Sequence, residues 1–396
     1  MVRVVFPESL LAGSMVTSRF PACLTCLLLI GAEVLLGNAV SADIAIGAPQ
    51  QPLETTAISF LNPSLGWRLA VGWDQVRGLH GPLYISRTIN GGLTWKTIGT
   101  VPNGMVRHAG SEVFRVSSVA FASARDGWAY GAALYSTHDA GRTWTRVSIQ
   151  GNKTALSIAG RSVWRLDEYC SAATCVSTIF TSEAGSDQWT RTTWQPPSSW
   201  TTGASLTRAD VSHAWLLSGE MFTPPNHVTA RLLSTSDGGK SWHTRPLPCA
   251  TQGPIGDILA AYDSRHLWAF CASEPGAGEQ LKTVNRSRDG GRHWRLVSAS
   301  GQFGLKNLSV AGYVRSAALV SPSSAWLALG RGTLLHTADG GRSWREAIPY
   351  AVANPGDGGV GPVIFVDPQH GWLLSLPYLL FRTVDGGRHW QKIRLP

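Results

Sequence analysis

Short apolar runs separated by polar turns recur from about residue 56 to the end of the chain. Typical runs are "AISFL" at 57–61, "SVAFA" at 118–122, "SAALV" at 316–320 and "PVIFV" at 362–366. They are bounded by Pro, Gly, Asp and Ser, and no stretch has a helical period of useful length. Runs of this kind are typical of β-strands. The pattern therefore predicts an all-β fold.

One turn phrase, here called the box, closes each group of runs and leads into a tryptophan. Six copies share Ser/Thr-x-Asp/Asn-x-Gly followed by Trp. They are "RTINGGLTWKTI" at 87–98, "STHDAGRTWTRV" at 136–147, "STSDGGKSWHTR" at 234–245, "RSRDGGRHWRLV" at 286–297, "HTADGGRSWREA" at 336–347 and "RTVDGGRHWQKI" at 382–393. A seventh copy, "TSEAGSDQWTRT" at 181–192, has Glu183 in place of the Asp and one extra residue before the Trp.

The period of the repeat predicts the architecture. Successive box tryptophans are about fifty residues apart, which is the period of four-stranded propeller blades. A second tryptophan precedes each box, so that fourteen of the 17 tryptophans occupy two repeat positions. Blades stacked face to face would bury sheets that are apolar on both faces. The sequence therefore predicts a single seven-bladed β-propeller over 56–396, with Asp-box turns and four antiparallel strands per blade.

Each part of the box has a structural role in a hairpin turn. The carboxylate can accept hydrogen bonds from its own turn, the glycines adopt positive φ, and the Trp packs between sheets. Equivalent aspartates around a ring do not converge on one active site, so we interpret them as scaffold rather than as acid/base pairs. The structural box residues are Asn90, Trp95, Asp139, Trp144, Asp237, Trp242, Asp289, Trp294, Asp339, Trp344, Asp385 and Trp390.

The box resembles the Asp-box, the bacterial neuraminidase repeat. The fuller unit at 365–390, "FVDPQHGW" leading to "TVDGGRHW", resembles the photosystem II stability/assembly-factor-like propellers. The resemblance covers about 56–393, and it implies an exported propeller that binds a protein, such as a subunit of a membrane complex. The same repeat is found in sialidases, xyloglucanases and sortilin-type receptors, so it is more specific for fold than for function.

The first 42 residues have the pattern of a secretory signal peptide. Arg19 precedes the apolar run at 22–32, and small residues at 40–42 form a cleavage site. We therefore predict a signal peptide at 1–42, an N-terminal segment at 43–55 and export from the cytoplasm. An uncleaved anchor is the alternative.

Four of the six cysteines lie beyond the predicted signal peptide. An even number in an exported chain predicts disulfides. Cys170 and Cys175 flank "SAAT" and could join a hairpin tip. Cys249 and Cys271 could join the segment leading into a blade to the second strand of that blade. Metal binding is the rival interpretation, but no CxxC or His–Cys pairing supports it, and we predict no metal and no cofactor.

Alternating strand directions assign the loops to two faces. The turns between strands one and two, and the box turns, are short and alike. The loops between strands two and three, and the connectors between blades, are long and different, and binding residues concentrate in such loops. We predict a ligand on this long-loop face, with ordinary loop packing as the alternative. The candidate residues are Trp73, Arg107, His108, Trp194, Trp200, Phe222, His227 and Tyr313.

Part of the net charge of +9 comes from basic residues that recur at one position of the box. One box position carries Arg142, Lys240, Arg292, Arg342 and Arg388. These residues would form a solvated ring on the face of the short turns, or a surface for an acidic partner or an anionic membrane. The sequence does not predict a compact basic groove, and the chain is predicted to be exported, so we expect no nucleic acid partner.

Two classes of function fit these observations. We predict an exported, non-catalytic and monomeric propeller that binds an extracytoplasmic or membrane protein. The alternative is a glycoside hydrolase or carbohydrate-binding propeller of sialidase or xyloglucanase type. A sialidase would need an arginine triad and six blades, and a hydrolase needs two carboxylates at one bond. Carboxylates that remain in the long loops are Asp74, Glu112, Glu220, Glu274, Glu279 and Asp357.

Overall fold

The chain folds into seven antiparallel blades, each with four chain-consecutive strands, as predicted, and one blade has the strand Val4–Val5 added at its edge. The structure is a computed structural model. It describes residues 4–5, 53–74, 79–102, 105–108, 111–114, 116–171, 175–196, 204–218, 231–249, 257–273, 276–301, 305, 307–349, 359–375 and 378–396.

The first four blades contain sixteen strands. Blade 1 consists of Glu54–Phe60, Gly66–Asp74, Leu79–Thr88 and Lys96–Val101. Blade 2 consists of Val116–Phe121, Gly127–Gly131, Leu134–Thr137 and Thr145–Val147. Blade 3 consists of Lys153–Ala159, Ser162–Cys170, Cys175–Glu183 and Thr190–Arg191. Blade 4 consists of Ala204–Arg208, Ala214–Ser218, Arg231–Thr235 and His243–Arg245.

The last three blades continue the same order. Blade 5 consists of Ile258–Ala261, Leu267–Ala272, Lys282–Ser287 and Arg295–Ala299. Blade 6 consists of Val314–Ser321, Ser324–Leu329, Thr333–Thr337 and Arg345–Ile348. Blade 7 consists of Val360–Phe365, Gly371–Ser375, Leu379–Thr383 and Gln391–Arg394.

Three short strands lie outside the blades. Met105–His108 and Ser111–Phe114 form a hairpin between blades 1 and 2. Val4–Val5 pairs antiparallel with the first strand of blade 6. In the part of the chain that the structure describes, no helix is long and apolar enough to cross a membrane.

The first strand of each blade lies at the centre of the ring. First strands of neighbouring blades contact each other at six of the seven junctions, and between blades 2 and 3 the contact is with a second strand. The first strand of blade 1 also contacts the first strand of blade 7. Among the described residues no strand is shared between blades 7 and 1, and the ring closes by packing of one blade on the other.

Tryptophans of the second strands fill the spaces between blades. All seven, from Trp67 to Trp372, are at most 2% exposed. The indole N–H of Trp67 donates to the carbonyl of Ala140 in the box of blade 2, at 2.8 Å. At the closing junction the indole of Trp372 donates to Gly91 of blade 1, also at 2.8 Å. Large aromatic area and a directed hydrogen bond thus join consecutive blades.

The short turns share one face, as the alternation of strand directions predicted. The amide of Gly91 in the first box donates to Ser64 in the turn between strands one and two, at 2.8 Å. Equivalent bonds join Gly340 to Ser323 in blade 6 and Gly386 to Gln369 in blade 7. We call this surface the box face.

A disulfide between Cys249 and Cys271 joins the segment before blade 5 to the second strand of that blade. The two residues are 22 positions apart. Cys175 is also disulfide-bonded, and it lies opposite Cys170 in the register of blade 3.

Candidate binding site

The box carboxylates are hydrogen-bonded within their own turns. Asp139 accepts the amide and the hydroxyl of Thr143, at 2.9 and 2.7 Å, and the hydroxyl of Thr137, at 2.9 Å. Despite partial desolvation, these bonds lower the pKa of Asp139 to about 2. The carboxylates of the other four box aspartates likewise accept the amide four positions on. At Asp289 and Asp385 a histidine ring nitrogen takes the place of the hydroxyl. These carboxylates are therefore hydrogen-bonded as parts of their own turns.

Blade 3 replaces this arrangement with a link to blade 2. Glu183 is exposed and lies 4.0 Å from Arg161. The carboxylate of Asp187, which lies in the lengthened turn, reaches across the junction to His138 at 3.2 Å. The other ring nitrogen of His138 lies 3.0 Å from Asp126. Hydrogen bonds to Asp126 and Asp187 raise the pKa of His138 against the opposing effect of partial burial.

The predicted residues of the long-loop face are only partly described. Trp73 lies in the second strand of blade 1, and Arg107 and His108 lie in the hairpin strand Met105–His108. Three further predicted residues lie outside the described part of the chain, namely Trp200, Phe222 and His227.

Trp194 and Tyr313 have structural contacts. Trp194 stacks on Trp242 with ring centroids 5.0 Å apart and packs against the core between blades 3 and 4. The hydroxyl of Tyr313 accepts the amide of Gly278 at 2.9 Å. Both contacts correspond to the loop-packing alternative for these two residues.

A cleft at the outer edge of the box face lies between blades 5 and 6, and we call it the arginine groove. It has a volume of about 460 Å³. It is lined by the end of the third strand and by the box and fourth strand of blade 5, and by the box of blade 6. The lining side chains that matter for recognition are Arg286, Arg288, Arg295, Arg342, Leu296 and Leu305.

Arg286 forms the fixed base of the groove. Its guanidinium donates to the carbonyls of Gly340, at 3.0 Å, and Pro322, at 2.5 Å. It also lies 4.7 Å above the ring of Trp268. Gly340 has a φ of 81°, and a Cβ at that position would lie 1.9 Å from the guanidinium. A glycine is therefore required where the box of blade 6 meets this arginine.

The groove has an excess of positive charge. Burial, and then repulsion from Arg288, Arg342 and Arg295, lowers the pKa of Arg286. Asp289 lies in the lining, but its carboxylate accepts the backbone and the ring nitrogen of His293, at 3.0 and 2.6 Å. Among the residues that the structure describes, Arg288, Arg295 and Arg342 form no ion pair. They are available to an anionic ligand.

Exposed apolar side chains lie beside this charge. Leu296 and Leu305 both line the groove and both retain more than two fifths of their surface exposed. The loop carrying Leu305 is held by Asn307, whose amide nitrogen donates to the carbonyls of Gly341, at 3.1 Å, and Arg342, at 3.0 Å. A ligand with both acidic and apolar groups fits this lining.

Buried carboxylates elsewhere differ in their partners. Asp257 accepts the amide of Ala272 at 2.9 Å, but its other oxygen is buried without a hydrogen-bond partner, and burial raises its pKa to about 7. Asp167 accepts the amide of Gln150 and the hydroxyl of Thr154, both at 2.7 Å, and lies 3.1 Å from Arg165. Burial raises the pKa of Asp167. Within the described ranges, no group of three or more His, Cys, Asp or Glu residues could hold a metal ion.

Known structures share the fold. YCF48 bound to D1 peptide is 18% identical and has a TM-score of 0.54, covering 85% of this chain and 95% of that one. YCF48 from Cyanidioschyzon merolae is 15% identical with a TM-score of 0.55, covering 86% and 98%. The propeller domain of the Trilobed protease from Pyrococcus furiosus, described as having an open velcro topology, is 10% identical with a TM-score of 0.50, covering 86% and 98%.

These likenesses concern the fold. No protein-family model and no curated protein matches the chain. The predicted resemblance to photosystem II assembly-factor propellers is confirmed, because YCF48 propellers are among the structural neighbours. A xyloglucanase neighbour has a TM-score of only 0.33.

Proposed function

We propose that the chain is an exported, non-catalytic propeller that binds a segment of a protein partner in the arginine groove. The observation that carries this proposal is a cleft in which three unpaired arginines adjoin exposed leucines. Guanidinium groups recognise carboxylates through paired hydrogen bonds, and leucines add apolar contact. An extended segment that alternates acidic and apolar residues fits best.

The likeness to YCF48 supports a protein ligand, since that protein has been solved with a peptide bound. Export rests on the signal peptide predicted at 1–42. The long-loop face, where the sequence analysis placed the ligand, is the competing location. For the hydrolase alternative, the box carboxylates and Asp167 are bound to structural partners, whereas Asp257 keeps one oxygen without a hydrogen-bond partner. A hydrolase needs a second carboxylate that converges on the same bond.

The test measures binding of fluorescent peptides by anisotropy. We expect a peptide alternating Glu and Leu to bind, and one alternating Lys and Leu not to bind. Replacing Arg288 and Arg342 by Gln should weaken binding about ten-fold or more, because desolvated charge pairs at an interface are each worth several-fold in affinity. Added salt should weaken it further.

The control is Arg142→Gln with Lys240→Gln. These residues occupy the box position of Arg342 in blades 2 and 4, so they remove similar surface charge outside the groove. An equal loss in both variants would mean non-specific charge attraction. Loss only on replacing Trp73 and Trp200 would move the site to the long-loop face.

A further inference from the structure

Apolar side chains project from the box turns where the ring closes. Ile89 is 71% exposed and Leu93 44% exposed in the box of blade 1, and Val384 is 53% exposed in the box of blade 7. In the boxes of blades 2, 4 and 5, the positions equivalent to Ile89 and Leu93 carry only polar or charged residues: His138 and Arg142, Ser236 and Lys240, and Arg288 and Arg292. The apolar residues are therefore a local departure from the repeat, and we call them the apolar tips.

The two turns that carry these residues are neighbours. Trp372 of blade 7 bonds to Gly91 in the turn of blade 1. A Cβ at Gly91 would lie 2.8 Å from the guanidinium of Arg382, which is in the third strand of blade 7. Ile89, Leu93 and Val384 thus belong to one sector of the box face. Single exposed apolar residues are ordinary on a protein surface, but a group at adjoining turn tips indicates a contact surface.

Positive charge surrounds the tips. Arg388 follows the glycines of the box in blade 7. Lys96 directly follows the box tryptophan of blade 1, and Lys392 lies two residues after the box tryptophan of blade 7. All three side chains are exposed. Each aspartate of the neighbouring boxes is already bonded within its own turn, as at Asp385. Asp385 and Asp367 keep their negative charges when hydrogen-bonded, but the three exposed cations outnumber them, so the net charge of this sector is positive.

We propose that the box face docks on an anionic lipid bilayer through the sector of blades 7 and 1. Several features favour a bilayer over a folded partner. The tips are convex turns at one level of the ring, so they suit a flat and deformable surface. Apolar side chains at the headgroup boundary combined with Lys and Arg are the pattern of interfacial membrane binding. Anionic headgroups supply the complementary charge.

The docking surface is distinct from the arginine groove, although both lie on the box face. The tips belong to blades 7 and 1, whereas the groove lies between blades 5 and 6. A propeller docked in this way would hold the groove close to the bilayer surface, within reach of segments that emerge from membrane proteins.

The test is co-sedimentation of the full chain with vesicles. Vesicles of equal parts phosphatidylglycerol and phosphatidylcholine are compared with vesicles of phosphatidylcholine alone. We expect binding to the anionic vesicles that weakens with salt. The variant Ile89→Ser, Leu93→Ser, Val384→Ser should bind at least about ten-fold more weakly, because apolar insertion is lost. Arg388→Gln should weaken binding about five-fold, the effect of one basic residue near an anionic surface.

The matched control is Tyr169→Ser with Val176→Ser. These exposed apolar residues lie at the tip of the hairpin between strands two and three of blade 3, on the opposite face. The control should bind as the parent does. The proposal is overturned if the parent ignores anionic vesicles, if the triple variant binds equally well, or if the control loses as much. Peptide binding in the groove is measured on the same variants, so the two proposals fail independently.

Discussion

At the scale of single residues, a large side chain on one of the first two strands of a blade lies opposite a small residue on the other. In blade 2, Phe121 lies opposite Gly127, and its ring stacks on Trp67 of blade 1 at 3.7 Å. Blades 1 and 7 repeat the Phe–Gly pair. In blade 5 the small residue is Ala261 on the first strand, and Leu267 lies opposite on the second. The space between blades is thus filled from one strand or the other.

This pairing of large and small residues predicts that Gly127→Ala destabilises the protein. The added Cβ would lie 2.4 Å from the ring of Phe121, which cannot retreat because it is stacked on Trp67. We expect the free energy of unfolding to fall by about 1–3 kcal/mol, as for overpacked cores. Urea denaturation measures it. In a Phe121→Leu background the loss should shrink, and Gly276→Ala, where nothing lies within 4 Å, should have little effect.

At the scale of elements, blade 3 shows how a degraded repeat is compensated. The sequence predicted a blade there in spite of Glu183, and the four strands confirm it. It did not predict that Asp187 would bond to His138 in the neighbouring box, because that contact crosses between repeats 49 residues apart. A turn motif specifies bonds within itself, whereas contacts between blades depend on how the sheets pack.

The bridge Asp126–His138–Asp187 predicts a pH dependence. Both ring nitrogens can donate only when the imidazole is protonated, and the carboxylates raise the pKa of His138 above its usual 6.5. The stabilisation is therefore complete below 6.5 and is lost as pH rises through the higher value of the folded state. Two arginines lie beside the bridge: Arg161 is near Asp126, and Arg125 donates to the backbone carbonyl of His138. An arginine side chain has no hydrogen-bond acceptor, so neither competes with the carboxylates for the ring N–H groups.

Asp187→Asn should reduce this dependence. Urea denaturation at about pH 5.5 and about pH 8.5 brackets the usual titration range of His. We expect the parent to lose more stability between these two values than the variant, and NMR titration of the ring protons to show a lower pKa for His138 in the variant. Equal slopes in the two proteins would show that the bridge does not form in solution.

The disulfide gives a second prediction for elements. Cys249–Cys271 closes a loop of 22 residues between the end of blade 4 and the second strand of blade 5. Replacing both residues by Ser should lower the free energy of unfolding by about 3 kcal/mol, from the freedom that the unfolded chain regains. Reductant acts on Cys175 as well, so the comparison is made between oxidised proteins. A loss of similar size on adding reductant to the variant would assign a separate contribution to the bond at Cys175.

At the scale of the whole molecule, repetition made the architecture predictable and the site unpredictable. Seven boxes with a fixed period specify seven blades and the face on which the turns lie. The arginine groove is built from Arg288 and Arg295 in one repeat and Arg342 in the next, at positions that look like ordinary solvated turns in the sequence. Only the packing of blades 5 and 6 brings these side chains together. The irregular loops differ visibly in sequence, whereas the residues of the groove do not stand out from the repeat, and the site was therefore predicted on the long-loop face.

Ring closure gives the last prediction. In the part of the chain that the structure describes, blades 7 and 1 share no strand. Their junction contains the stacking of Phe60 on Trp372, at 3.7 Å, and side chains such as Leu395. Leu395→Ala should lower the free energy of unfolding by about 2–5 kcal/mol, as for other buried leucines. Because nearest-neighbour interfaces stabilise repeat folds, we also expect the loss to be local. Hydrogen exchange should accelerate most in Glu54–Phe60 and Val360–Phe365.

The control is Leu216→Ala, which removes an equally buried side chain from the core between blades 3 and 4. Its faster exchange should be centred on those blades and should leave the closing junction protected. A uniform rise in exchange for both variants would contradict the prediction, because it would mean that the ring unfolds only as a whole. A rise confined to blades 7 and 1 in Leu395→Ala would show that this junction can open while the rest of the ring stays folded.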